Sequence, residues 1–95
     1  MTLEGRVALV TGAGGQGMGR SIALTLARDG ADIVLNIHRR EEHAGRTAAA
    51  IESMGRRVLR HVADVTDAAQ VDAMFAAGEA AFGKVDIVVN SAGAP

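Results

Sequence analysis

The sequence predicts an α/β fold, a doubly wound parallel sheet built in the order β-α-β-α-β-α-β. Four short apolar runs recur along the 95-residue chain, segments of helical periodicity separate them, and a glycine follows each helical segment. Short connections and right-handed crossovers then require parallel strands with helices on both faces, in the strand order 3-2-1-4. The predicted strands are Arg6–Thr11, Ile33–Ile37, Val58–Ala63 and Val85–Asn90, and the predicted helices are Gly17–Arg28, Glu41–Met54 and Asp67–Phe82.

In the first half of the chain, apolar runs typical of strands alternate with segments of helical periodicity. The first strand is apolar almost throughout, which predicts burial on both of its faces. The first helix ends at Gly30 and the second at Gly55, because glycine is the usual residue just beyond a helix. The stripes expected to face the sheet are Ile22, Ala23, Leu26 and Ala27 in the first helix, and Ala44, Ala48, Ile51 and Met54 in the second.

The second half repeats the pattern once more. Thr66 is expected to cap the third helix, since its hydroxyl can accept a bond from the first free amides. Gly83 ends that helix, and the apolar run up to Asn90 forms the fourth strand. The inward-facing residues of the third helix would be Val71, Met74, Phe75 and Phe82.

Composition excludes several classes of protein. A net charge of −1 does not favour a nucleic-acid or membrane partner, and the apolar runs are too short to span a bilayer. The chain has no cysteine, and its three histidines, His38, His43 and His61, lack metal-ligand spacing. We therefore expect one domain, residues 1–95, in a cytoplasmic protein without a metal site.

The segment Thr11–Gly19 contains the most informative motif, because a glycine-rich turn there links a strand to a helix. Glycine permits positive φ and leaves backbone amides open to an anion at the positive end of the helix dipole. Gly12 would make the turn, Gly17 would admit phosphates, and Gly19 would let helix approach strand. A second G-x-G-x-x-G uses Gly12, Gly14 and Gly17, so the glycine facing the phosphates stays open. The motif predicts a dinucleotide site of Rossmann type, and the alternative is close packing alone.

The end of the second strand bears on the choice of dinucleotide. NAD sites usually place a carboxylate there for the ribose 2′-hydroxyl, but this chain has Ile37. His38, Arg39 and Arg40 follow, and guanidinium groups suit a 2′-phosphate. NADP(H) is therefore favoured, whereas the two glutamates that follow keep NAD(H) possible. The alternative is that these arginines are solvated loop charges.

Two further strand ends lie at the same predicted edge. Asp64 could accept a bond from the adenine amino group and the Val65 amide could donate to the ring; alternatively, Asp64 and Thr66 only organise a turn. After the fourth strand, the small residues Ala92 and Gly93 would let a ribose or nicotinamide come near, and Asn90 could bond neighbouring backbone. The alternative for this last element is a strand-ending turn.

Taken together, these motifs resemble the short-chain dehydrogenase/reductase family over the whole chain. Leu3–Gly12 is similar to the family's amino terminus, and the turn through Gly19 is similar to its Thr-Gly-x-x-x-Gly-x-Gly loop. Asp64-Val65 resembles its adenine-contacting pair, and Asn90–Gly93 resembles its Asn-Asn-Ala-Gly element. The segment Asn36–Glu42 is similar to that of the 3-oxoacyl-(acyl carrier protein) reductase branch.

The chain departs from the family pattern at several points. One additional residue separates Gly12 from Gly17, Ser91 replaces the second Asn, and Gln16 stands where many NADP-dependent members carry a basic residue. The resemblance also implies catalysis by a Ser and a Tyr-x-x-x-Lys beyond the fourth strand, but this sequence has no tyrosine. No catalytic residue is therefore assigned, and the chain resembles the amino-terminal, coenzyme-binding half of such an enzyme.

Three functional hypotheses follow. The first is an NADP(H)-dependent short-chain oxidoreductase that transfers a hydride between nicotinamide and a carbonyl or alcohol, represented by its cofactor half and forming a homo-oligomer. The second is a non-catalytic nucleotide-binding or self-associating fragment, and the third is a doubly wound methyltransferase. An uncovered fourth strand would also favour association. The predicted cofactor-binding residues are Gly12, Gly14, Gln16, Gly17, Met18, His38, Arg39, Arg40, Asp64, Val65, Asn90, Ala92 and Gly93.

Overall fold

A computed structural model describes residues 2–12, 17–38 and 42–91 of the chain, with the backbone alone at residue 42. Their secondary structure alternates strand and helix in the predicted order. The elements are β1 (Val7–Thr11), α1 (Met18–Arg28), β2 (Asp32–Ile37), α2 (Glu42–Ser53), β3 (Val58–Val62), α3 (Ala68–Phe82) and β4 (Ile87–Asn90).

The four strands form one sheet in the order β3-β2-β1-β4, and all three strand pairs are parallel. Leu9 in the middle of β1 pairs with Val34 of β2 and with Val88 of β4. The predicted strand order is therefore confirmed. Because all strands run the same way, their carboxyl ends meet at one edge, and the chain crosses from β3 to β4 past the two central strands.

Helices cover both faces of this sheet. Every residue of β1 is buried, as its uninterrupted apolar sequence predicts. On one face, the side chains of β1 and β2 pack against the small apolar residues of α1 and α2, so these helices come close to the sheet. The buried cluster consists of Ala8, Val10, Ala23, Ala27, Ala31, Ile33, Leu35, Ala48 and Ile51.

The opposite face is covered by α3 over a smaller area. Val7, Leu9 and Val34 pack there against Met74, and the predicted inward residues Phe75 and Phe82 are only partly buried. Val71 is likewise half-buried. The inward-facing prediction is therefore confirmed for Met74, Phe75 and Phe82, which pack in this cluster, with Met74 the most deeply buried.

The predicted cap at the start of α3 is wrong. Thr66 does not cap α3; the cap is Asp67, whose side chain accepts bonds from the amides of Ala69 and Gln70. The turn before α3 is one residue longer than expected, which leaves Thr66 outside the helix. Gly83 ends α3 as predicted, with a left-handed φ of 86° that favours glycine.

Asp86, just before β4, is hydrogen-bonded to Val7 at the start of β1. Its Oδ2 accepts a hydrogen bond from the Val7 amide at 2.9 Å, and its own amide donates to the Val7 carbonyl at 2.9 Å. Lys84 Nζ lies 3.2 Å from Oδ2, and Arg6 Nη1 lies 3.8 Å from Oδ1. The bond from the Val7 amide is the main cause that lowers the pKa of Asp86 below its ordinary value.

Acid is expected to destabilise the chain through Asp86. A carboxyl whose folded-state pKa is lowered stabilises the fold above its unfolded-state pKa of about 4, and this contribution is lost as the pH falls through the folded value. Asp86→Asn should therefore lower the free energy of unfolding at pH 7 and reduce its decrease between about pH 5 and pH 2. Urea unfolding across that range measures both effects, with Asp72→Asn on the exposed side of α3 as control. An equal pH dependence in Asp86→Asn and the parent would contradict the assignment.

Candidate functional site

The carboxyl ends of all four strands form the candidate site. Gly12 follows β1, His38 follows β2, Asp64 lies just beyond β3, and Asn90 ends β4. These four predicted residues are widely spaced in the sequence and the parallel sheet brings them to one edge.

The glycine-rich turn starts and ends with glycines whose roles differ. Gly12 has a φ of 65°, as expected for the residue that makes a tight turn. A Cβ at Gly19 would meet the Gly12 carbonyl oxygen, and it would lie 2.7 Å from Ser91 Oγ and 2.9 Å from the Gly12 carbonyl carbon. Gly19 therefore lets α1 approach the end of β1, as the sequence predicts.

Gly17 is placed differently from Gly19. It is the residue before α1, it is exposed, and a Cβ built there would meet no atom within 4 Å. Having no side chain, Gly17 makes no side-chain cap to the amides of the first turn of α1. Met18 begins the helix with 74% of its surface exposed. This helix start can receive an anion.

A cavity of about 300 Å³ lies beside that turn. Its volume is at the lower end of the range for small-molecule sites. The strand ends of β1, β2 and β3 all contribute to it. The lining residues are Gly12, Asn36, His38, Ala63, Asp64, Val65 and Thr66.

Asp64 organises one wall of this cavity. Its Oδ1 accepts bonds from the Thr66 amide at 2.9 Å and from the Thr66 hydroxyl at 2.7 Å, and its amide donates to Gln70 Oε1 at 2.8 Å. The bond from the Thr66 hydroxyl is the main cause that lowers the pKa of Asp64 below its ordinary value, so the carboxylate stays ionised. The turn role considered for Asp64 and Thr66 is therefore present, and Thr66 acts in it rather than as a helix cap.

The second oxygen of Asp64 is turned toward His38. His38 Nε2 lies 3.8 Å from Asp64 Oδ2, and both side chains are partly exposed. Val65 lies next to them on the cavity wall and is also partly exposed. An ionised oxygen, an imidazole and an apolar side chain thus surround one opening.

Asn36 is a site residue that the sequence analysis did not single out. It is 1% exposed although it is polar, it lines the cavity, and it bonds to both neighbouring strand ends. A polar residue inside an otherwise apolar strand is the signal that could have identified it.

The ends of β1 and β4 are joined by side chains. The Thr11 hydroxyl donates to Asn90 Oδ1 at 2.9 Å, the Ser91 amide donates to that hydroxyl at 3.0 Å, and the Ser91 hydroxyl donates to the Thr11 carbonyl. The parallel register places Thr11 directly beside Asn90. These hydrogen bonds hold the ends of β1 and β4 together on this side of the site. The expectation that Asn90 bonds neighbouring backbone stays a prediction.

Six predicted cofactor-binding residues lie outside the described part of the chain: Gly14, Gln16, Arg39, Arg40, Ala92 and Gly93. Within the described part, no group of three or more histidine, cysteine or acidic residues could hold a metal ion. Among the described helices, none combines the length and the apolar character needed to cross a bilayer.

Comparison with known proteins places these features in context. The family model described as short chain dehydrogenase matches residues 6–95. A (5R,7aS)-5-hydroxy-7a-methyl-1-oxo-2,3,5,6,7,7a-hexahydro-1H-indene-carboxyl-CoA reductase of Mycobacterium tuberculosis is 41% identical over 92 residues, which are 96% of this chain and 35% of that protein. The chain therefore spans about a third of the length of this curated relative.

Solved structures agree with this similarity. A short chain dehydrogenase from Burkholderia cenocepacia in complex with NADP is 40% identical, with a TM-score of 0.89 over 95% of this chain and 36% of that one. A short chain dehydrogenase from Mycobacterium paratuberculosis bound to NAD is 32% identical, with a TM-score of 0.89 over 100% of this chain and 39% of that one.

Proposed function

The chain belongs to the short-chain dehydrogenase family, and from that premise we propose that it is the coenzyme-binding half of an NADP(H)-dependent oxidoreductase. The observation that carries the proposal is the cavity at the strand ends, whose lining residue Gly12 also packs against Gly19 at the start of α1. The coenzyme, when bound, supplies or accepts a hydride, and the whole protein would act on a carbonyl or alcohol substrate.

The described residues fit a dinucleotide. The open space at Gly17 leaves room for a pyrophosphate at the start of α1, whereas the tight packing of Gly19 holds that helix start against β1. The adenosine would lie in the cavity, where Asp64 offers an anionic acceptor and Val65 an apolar surface. The solved relatives that carry NADP and NAD support this class of ligand.

The preference for NADP(H) rests on charge at the end of β2. Ile37, the last residue of β2, is buried and apolar, so it offers no carboxylate to a ribose 2′-hydroxyl. His38 lies on the cavity rim, and Arg39 and Arg40 follow it in the sequence. Two guanidinium groups would offset the negative charge of Asp64 and favour a 2′-phosphate.

We extend the proposal to the whole protein. The closest subgroup would be the 3-oxoacyl-(acyl carrier protein) reductase-like members, on the similarity of Asn36–Glu42. The whole protein would form a homo-oligomer, as the family resemblance implies, and act in the cytoplasm. Because the 95 residues include no tyrosine, the family's acid/base residue is not among them. We therefore expect these residues alone to bind coenzyme without turnover.

Removal of the two arginines should change coenzyme preference. Arg39→Ala together with Arg40→Ala should weaken NADPH binding by at least about tenfold, because a hydrogen bond to a charged group contributes about 1.5–3 kcal/mol. NADH binding should stay within about twofold, since NADH lacks the 2′-phosphate. Isothermal titration calorimetry with both coenzymes measures the ratio.

The matched control is Arg46→Ala, which removes an exposed arginine of α2 away from the cavity. Equal weakening of NADPH and NADH in the double variant would refute the assigned preference. No binding of either coenzyme to the folded parent at millimolar concentration would refute the coenzyme site itself.

A second candidate is a non-catalytic nucleotide-binding module, the alternative that the sequence analysis left open. A carbonyl-reductase assay with NADPH separates the two functions, because turnover by the chain would exclude the second. The methyltransferase hypothesis is not kept, because the chain belongs to the short-chain dehydrogenase family.

A further inference from the structure

Asn36 is a buried polar side chain in the middle of the sheet. It lies in β2, where all other residues from Ile33 to Ile37 are apolar, and it is 1% exposed. Burial of an amide is unfavourable unless its hydrogen-bonding groups find partners. Both ends of this one are bonded: Oδ1 accepts from the Gly12 amide at 3.1 Å, and Nδ2 donates to the Ala63 carbonyl at 3.1 Å.

These two bonds connect three neighbouring strand ends. Gly12 follows β1, Ala63 follows β3, and Asn36 belongs to β2 between them. The described pairing of β1 with β2 ends at Val10 and Leu35, and that of β2 with β3 ends at Ile37 and Val62. The Asn36 side chain thus joins residues that lie beyond these last pairs. The Asn36 amide is thus a side-chain link between the turn at Gly12 and the wall that begins at Ala63, beside the backbone bond from the Ala63 amide to the Ile37 carbonyl at 2.9 Å.

The same residues line the cavity of about 300 Å³. Gly12 lines it at the end of β1, Asp64 and Val65 line it beyond β3, and Asn36 lines it on β2 between those strands. Loss of the two Asn36 hydrogen bonds would therefore change the width of the cavity as well as its lining. A ligand that contacts both sides would then have to restore the original width when it binds. The free energy needed for this change would lower its affinity.

We propose that Asn36 is a positioning residue that presets the adenosine part of the coenzyme site by holding the Gly12 turn and the Ala63 wall at a fixed separation. This inference rests on the coenzyme site proposed above. It assigns Asn36 no contact with reacting atoms. Its consequence is that Asn36 governs affinity for the adenosine end of the coenzyme in addition to the stability of the fold.

The test uses Asn36→Ala, which removes both bonds, and Asn36→Thr, which retains one hydroxyl and suits a strand. Both should bind NADPH and adenosine 2′,5′-bisphosphate more weakly than the parent, about tenfold for Asn36→Ala and less for Asn36→Thr. Calorimetry is carried out well below the melting temperature of each variant. The Gly12 amide should also exchange its hydrogen faster in both variants, as measured by NMR.

Thr47→Val is the matched control. Thr47 is as deeply buried, and its hydroxyl donates to the His43 carbonyl at 3.1 Å within α2, away from the cavity. Its replacement should lower the melting temperature without changing affinity for the bisphosphate. A merely structural role for Asn36 would give this same result in Asn36→Thr.

The outcomes separate this inference from the proposed function. If the parent binds NADPH and Asn36→Thr binds both ligands equally well, the positioning role is wrong and the coenzyme site stands. If the folded parent binds neither ligand, the proposed function fails and the positioning role fails with it. If Asn36→Ala does not fold, the affinity and amide exchange of Asn36→Thr decide the result.

Discussion

Replacement of Gly19 by alanine is expected to lower the free energy of unfolding by about 1–3 kcal/mol and to weaken NADPH binding more than tenfold. The added Cβ would clash with the Gly12 carbonyl and lie 2.7 Å from Ser91 Oγ. Relief would require Gly12 to move, but its amide is bonded to Asn36. Alanine's advantage in a helix, about 1 kcal/mol over glycine, is too small to offset this clash.

The effect is measured by urea unfolding and by calorimetry with NADPH. Gly45→Ala in α2 is the matched control, because its Cβ would lie 3.4 Å from Arg60 Nη1, the end of a flexible side chain. That variant should be as stable as the parent or more stable by up to about 1 kcal/mol, with unchanged coenzyme affinity. If Gly19→Ala binds NADPH like the parent, the close approach of α1 to the turn does not shape the site.

The 95-residue chain is expected to self-associate through β4, and Val88→Lys should suppress this association. The described sheet ends at β4, whose residues Ile87–Asn90 carry no charge, and Val88 is 52% exposed. An apolar edge strand with free backbone groups can pair with another chain, and a lysine on such a strand opposes pairing. Sedimentation velocity at high protein concentration should show assemblies for the parent and mainly monomer for Val88→Lys.

The opposite edge of the sheet supplies the control. Val62 is 54% exposed in β3, but Arg60 and His61 already break the apolar character of that strand. Val62→Lys should therefore leave association unchanged. A monomeric parent would show that β4 does not drive association, and dissociation by Val62→Lys alone would assign it to β3.

Much of the fold could be predicted because its signals are local. Apolar runs followed by helical stripes specify the order of elements, and the short connections leave the order β3-β2-β1-β4 as the doubly wound arrangement. The conformations of Gly12 and Gly83 were likewise predictable, since a left-handed φ is a property of one residue and its neighbours. Element bounds shifted by one or two residues, as at the start of β4.

The candidate site was predictable only in its outline. The sequence by itself determined which residues follow the strands, and hence that Gly12, His38, Asp64 and Asn90 share one edge. Only the tertiary structure decided how their side chains pair. Asn36 joins strand ends 24 and 27 residues away from it, and Thr11 meets Asn90 across 79 residues. Such bonds depend on strand register and on the direction of each side chain, which arise when the sheet assembles and which no local pattern encodes.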